Sequence, residues 1–155
     1  GLGDVYKRQK VQSAKDMYDA VIERADSMDI IVKAAAVADY RPKNVSSEKV
    51  KKQDGNMSIE LERTDDILKT LGERKNGQFI CGFSMETENM LENARKKLEK
   101  KNCDMIVANN LKQDGAGFGG NTNIVTIITK DDEVQLEKMT KDEVAEKIFD
   151  FILSR

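Results

Sequence analysis

The residues with the clearest capacity for chemistry follow an apolar run near the start of the chain. The run covers residues 30–37, is β-branched at its start and small at its end, and Asp39, Tyr40 and Arg41 come directly after it. Such a run is typical of a strand covered on both faces in a parallel sheet. Small residues at the end of such a strand allow a ligand to approach the backbone. The pattern therefore predicts a ligand site where this strand ends.

The segment after the predicted strand adds a group of cations. Pro42, the only proline, disfavours an α conformation at Arg41, so we expect the chain to leave the sheet as an extended loop. The loop carries the basic residues Lys43, Lys49, Lys51 and Lys52. Two interpretations remain open at this point. Either the cations serve the predicted site, or they form an ordinary solvated loop after a buried strand.

The composition limits the chemistry. The chain has no histidine, which excludes Ser-His-Asp and Cys-His catalytic arrangements, histidine metal sites and the commonest general acid or base. Any reaction must therefore use lysines, carboxylates, amides and a bound cofactor.

Length, charge and cysteine content indicate one cytoplasmic domain. A chain of 155 residues buries roughly two-thirds of its unfolded surface. Its 26 basic and 28 acidic side chains nearly cancel, so no face for nucleic acid is predicted. No run is long enough to span a membrane, and no signal peptide is evident. Cys81 and Cys103 lie in apolar contexts and are interpreted as reduced core residues of a cytosolic protein.

The first ten residues, GLGDVYKRQK, show no clear period and are interpreted as a linker or a foreign segment. A predicted helix precedes the run at 30–37, and no strand is predicted before that helix. The alternation of strands and helices therefore begins partway through its usual order. We therefore expect a single domain over residues 11–155 whose N-terminal part is missing.

Periodicity predicts the elements of the first half. A capping-box-like start at Ser13 opens an amphipathic helix that leads into the strand at 30–37. A turn signal at residues 54–56 and the alternation that follows it predict a hairpin, whose first arm would carry Val50 and the lysines. Thr64 is expected to cap the next helix, with two aspartates in its first turn.

The second half continues the alternation. Strands are predicted at residues 78–83 and 104–109, with an amphipathic helix between them, and a strand at 121–130 is followed by a short second hairpin arm. A capping box at Thr140 and Glu143 opens the last helix. The fold class is therefore α/β, a three-layer Rossmann-like domain with a mostly parallel sheet and an antiparallel hairpin at one edge.

A G-x-G-x-x-G pattern occurs at Gly115, Gly117 and Gly120. A dinucleotide-binding fingerprint must follow a strand and open a helix, whereas an alternating strand pattern follows here. We interpret these glycines as a turn that presents Phe118.

Four segments in the same order and spacing carry a family resemblance: AAAVADYRPKNVSSEKVKK, RTDDIL, GFSMETENMLENARKKLEKKNCDMIVANN and GAGFGGNTN. Together they resemble the phosphopantothenate-cysteine ligase domain of bacterial coenzyme A biosynthesis proteins, from about Val11 to the C-terminus. That domain is usually fused behind a decarboxylase that uses FMN, so FMN is implied for the fused domain and not for this chain.

The resemblance implies a reaction and its partners. CTP, used with Mg²⁺, would activate the carboxylate of 4'-phosphopantothenate as an acyl-cytidylate, and the amine of L-cysteine would then displace CMP. It also implies a homodimer. A carboxylate that attacks a phosphate must overcome like-charge repulsion, so the site needs several cations and little acid or base catalysis.

The resemblance also implies which residues form the site. Lys49 would be catalytic, stabilising charge at the acyl phosphate, and no residue is assigned as a metal ligand. Thr64-Asp65 replaces the Asn-Pro of relatives, which favours backbone contacts at the start of that helix. The implied nucleotide-binding residues are Ala35, Asp39, Lys49, Asp65, Asp66, Ile67, Leu68, Phe83, Lys97 and Lys101.

By the resemblance, the domain of relatives begins with a strand, a glycine-rich turn and a segment whose Arg and Asn handle the acyl substrate. The resemblance therefore implies that residues 11–155 lack this strand, this turn and these two residues. We therefore expect this chain alone to be weakly active or inactive as a ligase. The alternative is a non-catalytic, Rossmann-like nucleotide-binding module. A nicotinamide oxidoreductase is disfavoured by the misplaced glycine pattern and by the lack of a Tyr-x-x-x-Lys pair.

Overall fold

A computed structural model of the protein describes residues 8–52, 54–86, 88–110 and 121–154. The helices are α1 (Ala14–Ala25), α2 (Ile67–Arg74), α3 (Met90–Lys100) and α4 (Lys141–Leu153). The strands are β1 (Ile30–Lys33), β2 (Tyr40–Pro42), β3 (Leu61–Arg63), β4 (Phe79–Glu86), β5 (Met105–Asn110), β6 (Thr122–Asn123), β7 (Val125–Thr129), β8 (Glu133–Gln135) and β9 (Met139–Thr140).

The central sheet has the order β1-β4-β5-β7-β8 in the described part of the chain. Strands β1, β4 and β5 run parallel, whereas β7 and β8 complete one side as an antiparallel hairpin. Helices cover both faces because successive side chains of a strand point to opposite sides. The predicted α/β fold, with a parallel centre and an antiparallel hairpin at one edge, is confirmed.

The two faces bury separate cores. Ile80, Ile106 and Ile128 pack with residues of α1, α2 and α3 on one face. Their neighbours along the strands, Cys81 and Ile127 among them, pack with α4 on the other face. The sheet is thus the middle of three layers, and the short β6–β9 pair lies beside α4.

Local side-chain signals set the starts of α1 and α4 correctly. Ser13 and Asp16 form a reciprocal capping box at α1, and Thr140 and Glu143 form another at α4. Each box satisfies two backbone N–H groups that would otherwise lack a partner at the helix start.

Three sequence expectations about the strands are wrong. The strand expected over residues 30–37 ends at Lys33, and it is not covered on both faces, since Val32 is 37% exposed. The hairpin after the basic loop pairs β2 with β3, so Val50 and the lysines lie in neither arm. The alternation of Met57 and Ile59 forms no strand, since no described element covers those side chains.

The described residues contain no helix that is both long and apolar enough to cross a bilayer. Cys81 and Cys103 are buried free thiols. The glycine-rich turn at 115–120, with Phe118, lies outside the described residues.

Candidate functional site

The site lies where β1 and β4 end, beside the start of α2 and one face of α3. Two adjoining cavities of about 200 Å³ and 390 Å³ open there, and Lys33, Val37, Asp39 and Lys97 line both of them. Crevices at the carboxyl ends of parallel strands are the usual ligand sites of open α/β sheets.

The first cavity is built around the start of α2. Asp66 caps this helix by accepting a hydrogen bond from the Lys69 amide (2.9 Å). The prediction that Thr64 caps α2 is therefore wrong. Ile67 and Leu68 follow with buried side chains, so their contribution to the cavity wall comes mainly from the backbone. The N–H groups of a helix's first turn have no partner within the helix and attract anions.

Thr64 has a different role. Its hydroxyl donates to the Ala38 carbonyl (2.6 Å), and its amide donates to the Asp39 carbonyl (3.0 Å). These bonds fix the segment after β1 against the segment before α2, and so they hold the two walls of the first cavity together.

Two lysines of α3 enter the site from one side. Lys97 and Lys101 are four residues apart and so share a helical face. The Lys97 ammonium donates to the Phe83 carbonyl (2.8 Å), and the Lys101 ammonium pairs with the Asp66 carboxylate. Burial opposes ionisation of Asp66, but the hydrogen bonds from Lys101 and from the Lys69 amide hold the pKa of this carboxyl below its ordinary value.

A third lysine comes from the end of β1. Lys33 is half-buried, and its ammonium donates to the Ala35 carbonyl (2.8 Å). Its pKa is lowered, first by burial and then by repulsion from Lys97, although Asp66 and Asp39 act in the opposite direction. The crevice therefore gathers three ammonium groups from two elements.

The second cavity extends from Lys33 and Lys97 toward α4. Phe83 and Met85 of β4 give it an apolar side, and amide and ammonium groups give it a polar one. Its other lining residues are Ala34, Ala35, Ala36, Asn109, Asn123 and Lys141.

Nine of the ten residues singled out from the sequence line one or both cavities: Ala35, Asp39, Asp65, Asp66, Ile67, Leu68, Phe83, Lys97 and Lys101. Lys49 does not. It is exposed on the irregular segment between β2 and β3, outside the lining of either cavity.

Sequence reasoning missed Lys33. The signal was a single charged residue inside the otherwise apolar run at 30–37. A lysine in such a run is rarely fully buried, so its ammonium must reach a polar group at the strand's end.

Residues 4–155 match the model of a known family, the C-terminal domain of the DNA/pantothenate metabolism flavoprotein. The chain belongs to this family. Relatives that are themselves coenzyme A biosynthesis proteins confirm the resemblance to the ligase domain of those proteins. The coenzyme A biosynthesis bifunctional protein CoaBC of Bacillus subtilis is 58% identical over 121 residues, which cover 78% of this chain and 30% of that protein.

Relatives of lower identity also match most of the chain. The CoaBC protein of Vibrio parahaemolyticus is 38% identical over 93% of this chain and 37% of its own length. A cysteine/cysteine sulfinic acid decarboxylase from an unknown prokaryotic organism is 45% identical over 93% of this chain and 41% of its own length. The chain thus spans well under half the length of these relatives.

Several solved structures share the fold. The C-terminal domain of a CoaBC protein is 48% identical, with a TM-score of 0.75 over 94% of this chain and 66% of that one. The DNA/pantothenate metabolism flavoprotein of Streptococcus pneumoniae is 22% identical, with a TM-score of 0.77 over 94% of this chain and 72% of that one. A Cab2 mutant in complex with phosphopantothenate-cysteine is 18% identical, with a TM-score of 0.65 over 82% of this chain and 45% of that one.

Proposed function

We propose that this chain carries the nucleotide half of a CTP-dependent phosphopantothenate-cysteine ligase. The observation that supports this most is the convergence of Lys33, Lys97 and Lys101 on one crevice beside the α2 N-terminus. Membership of the family and the CoaBC relatives supply the reaction class.

In the proposed reaction a carboxylate oxygen of 4'-phosphopantothenate attacks the α-phosphorus of CTP. The bond to the β-phosphate breaks, and pyrophosphate leaves. The cysteine amine then attacks the acyl carbon, the bond to CMP breaks, and the nitrogen releases a proton. The first attack needs cations more than acids or bases, because the carboxylate and the phosphates carry like charges.

The described residues supply these cations. Lys97 and Lys101 are half-buried and are held by Phe83 and Asp66, so they are already oriented toward the crevice before a phosphate binds. Ammonium groups that are oriented in advance stabilise phosphate charge without a further free-energy cost of reorientation during the reaction. The first-turn amides of α2 add neutral donors for phosphate oxygens.

Mg²⁺ is proposed to enter with the nucleotide. The described residues contain no cluster of three or more side chains able to hold a metal ion. Mg²⁺ usually keeps its water and binds through one or two carboxylates together with substrate phosphates. Asp65 lines the first cavity and is the carboxylate that we assign to it. The ion would neutralise phosphate charge.

The role of Lys49 remains a prediction from the resemblance. Its place outside the lining of both cavities favours the alternative, a nucleotide-binding module without chemistry. Replacing Lys49 by alanine separates the two. If the chain is a ligase, phosphopantothenoylcysteine formation is abolished while CTP affinity changes little. Because this chain alone is expected to be weakly active at most, the assay is run on the chain joined to the N-terminal segment that its relatives carry. A pure binding module forms no phosphopantothenoylcysteine there, with or without Lys49.

The remaining proposals concern assembly. We propose that the chain forms a homodimer, acts in the cytoplasm and works beside a decarboxylase domain that holds FMN. Sedimentation velocity of the chain tests the dimer, and a monomer at micromolar concentration would contradict it.

The first test is a calorimetric titration of the chain with CTP and with ATP, each with Mg²⁺. We expect saturable CTP binding that weakens strongly when Lys97 and Lys101 are both replaced by alanine. The matched control replaces Lys96 and Lys100, which are exposed on the same helix and line neither cavity. Absence of CTP binding, or equal loss in both double variants, would contradict the proposal.

A further inference from the structure

Lys33 occupies the junction of the two cavities. It is the last residue of β1, and it and Lys97 are the lysines that line both spaces. A ligand that extends from one cavity into the other must therefore pass these two ammonium groups.

The partner of Lys33 within the chain is weak for a charged group. Its ammonium donates to the neutral carbonyl of Ala35, only two residues away, and no described salt bridge includes it. Lys97 likewise donates to a neutral carbonyl, that of Phe83, whereas Lys101 pairs with the Asp66 carboxylate. A half-buried ammonium bound to a neutral carbonyl gains from exchanging it for an anion, because two opposite charges attract more strongly than a charge and a dipole where water is partly excluded.

The charges that face Lys33 come from several elements. Lys97 and Lys101 of α3 repel its ammonium, whereas Asp66 at the α2 cap and Asp39 attract it. Asp65 and Lys141 line the cavities farther along each side. Since cations on α3 offset the carboxylates, the junction still favours an incoming phosphate.

We propose that Lys33 binds the α-phosphate of the nucleotide at this junction, exchanging the Ala35 carbonyl for a phosphate oxygen. The inference rests on the proposed function, in which the α-phosphate is the group that joins the nucleoside to the acyl substrate. A junction between two cavities is the place for such a group. The Ala34–Ala36 backbone, released from Lys33, then borders the same ligand.

Proton uptake should accompany binding. Burial and Lys97 lower the pKa of Lys33 in the free chain, and a phosphate beside it would raise that pKa again. Lys33 therefore takes up a proton on binding when the pH lies between the two values, and affinity falls as the pH rises through the lower one. Cys81 and Cys103 do not interfere at about pH 9, because burial raises their pKa values to about 12 and about 11.

The experiment compares the parent chain with Lys33→Met and Lys33→Arg. Calorimetric titrations with CTP, CMP and cytidine are run at several pH values between about 8 and about 10, each in two buffers of different ionisation enthalpy, which gives the protons taken up. We expect Lys33→Met to weaken CTP and CMP binding by roughly tenfold or more and to leave cytidine unchanged. Lys33→Arg should keep most of the affinity but lose the proton uptake, since arginine stays charged.

The outcomes separate the two proposals. If the parent chain binds CTP and Lys33→Met binds it equally well, the role of Lys33 is overturned while the nucleotide site stands. Proton uptake that persists in Lys33→Arg also overturns it. If the parent chain binds no CTP, the proposed function fails first. Circular dichroism of each variant shows whether a loss reflects unfolding, and Lys33→Arg provides the second variant should Lys33→Met fail to fold.

Discussion

The Lys101 ammonium reaches from the end of α3 to the carboxylate of Asp66, the residue that caps α2. One aspartate thus completes a helix and orients a cation of the candidate site. The stability of α2 and the geometry of the crevice are therefore coupled through a single side chain.

Replacing Asp66 separates its two roles. Asp66→Ala removes the cap and the ion pair, and we expect it to lower the free energy of unfolding by about 1 kcal/mol. Asp66→Asn keeps a capping oxygen and should recover most of that loss, since an ion pair whose carboxylate is 45% exposed adds little. Urea denaturation of both variants measures the difference. Equal stability of the alanine variant and the parent would show that α2 does not depend on this cap.

The contribution of Asp66 should depend on pH. Its lowered pKa means that the folded chain binds this proton less readily than the unfolded chain. The stabilisation is therefore complete above the unfolded-state pKa of about 3.9 and is lost as the pH falls through the lower folded-state value. The stability difference between the parent and Asp66→Asn should shrink below about pH 4. Asp16 and Glu143, whose pKa values are also lowered, are present in both proteins and cancel. A difference that grows on acidification would contradict the prediction.

Gly72 lies where α2 meets the end of α3. A Cβ atom there would stand 1.9 Å from the Lys101 carbonyl oxygen. The Gly72 carbonyl also accepts a hydrogen bond from the side-chain amide of Asn102 (2.9 Å). Alanine normally gains about 1 kcal/mol over glycine in a helix. The contact with backbone should reverse this, so we expect Gly72→Ala to lose about 1–3 kcal/mol of stability and to weaken CTP binding by displacing Lys101.

The matched control is Gly77→Ala. Gly77 has a φ of +88° and open space around its Cβ position, so alanine there is strained by conformation alone. It should reduce stability and leave CTP affinity unchanged. Thermal denaturation and CTP titration of both variants check this. A Gly72→Ala chain as stable as the parent would show that the two helices can separate at no cost.

The buried thiols should be inert in the folded chain. Burial raises the pKa of Cys81 to about 12 and that of Cys103 to about 11, so little thiolate forms at neutral pH. We expect a thiol reagent at about pH 8 to react more than about a hundredfold faster in urea than in buffer. Full reaction of both cysteines in the native chain at the unfolded rate would contradict the burial of these residues.

Local signals explain what the sequence predicted well. The capping boxes of Ser13 and Thr140 are complete within four residues, and the apolar runs before α3 and after it can only be buried. Thr64 was misassigned as a cap because its hydroxyl bonds to Ala38, which is distant in the sequence. Competition between Thr64 and Asp66 for the cap is settled by that long-range contact.

The sequence predicted only part of the candidate site. Lysines four apart on one helix share a face whatever the fold, so Lys97 and Lys101 could be paired from spacing. Lys33 could not be found in this way, because its importance depends on where β1 ends relative to α3. The failed hairpin arm at Met57 and Ile59 has the same origin: alternation forms a strand only where another element covers it.

The Thr64 bonds to Ala38 and Asp39 also anchor both ends of the segment that carries Lys49. An extended chain spans about 3.4 Å per residue, so Lys49 can lie at most about 25 Å from Pro42. A tether of this length keeps the Lys49 side chain near its target at an effective concentration in the millimolar range, comparable to a saturating concentration of a free ligand. Lengthening the segment would dilute Lys49 only slowly, because the entropic cost of closing a loop grows slowly with its length.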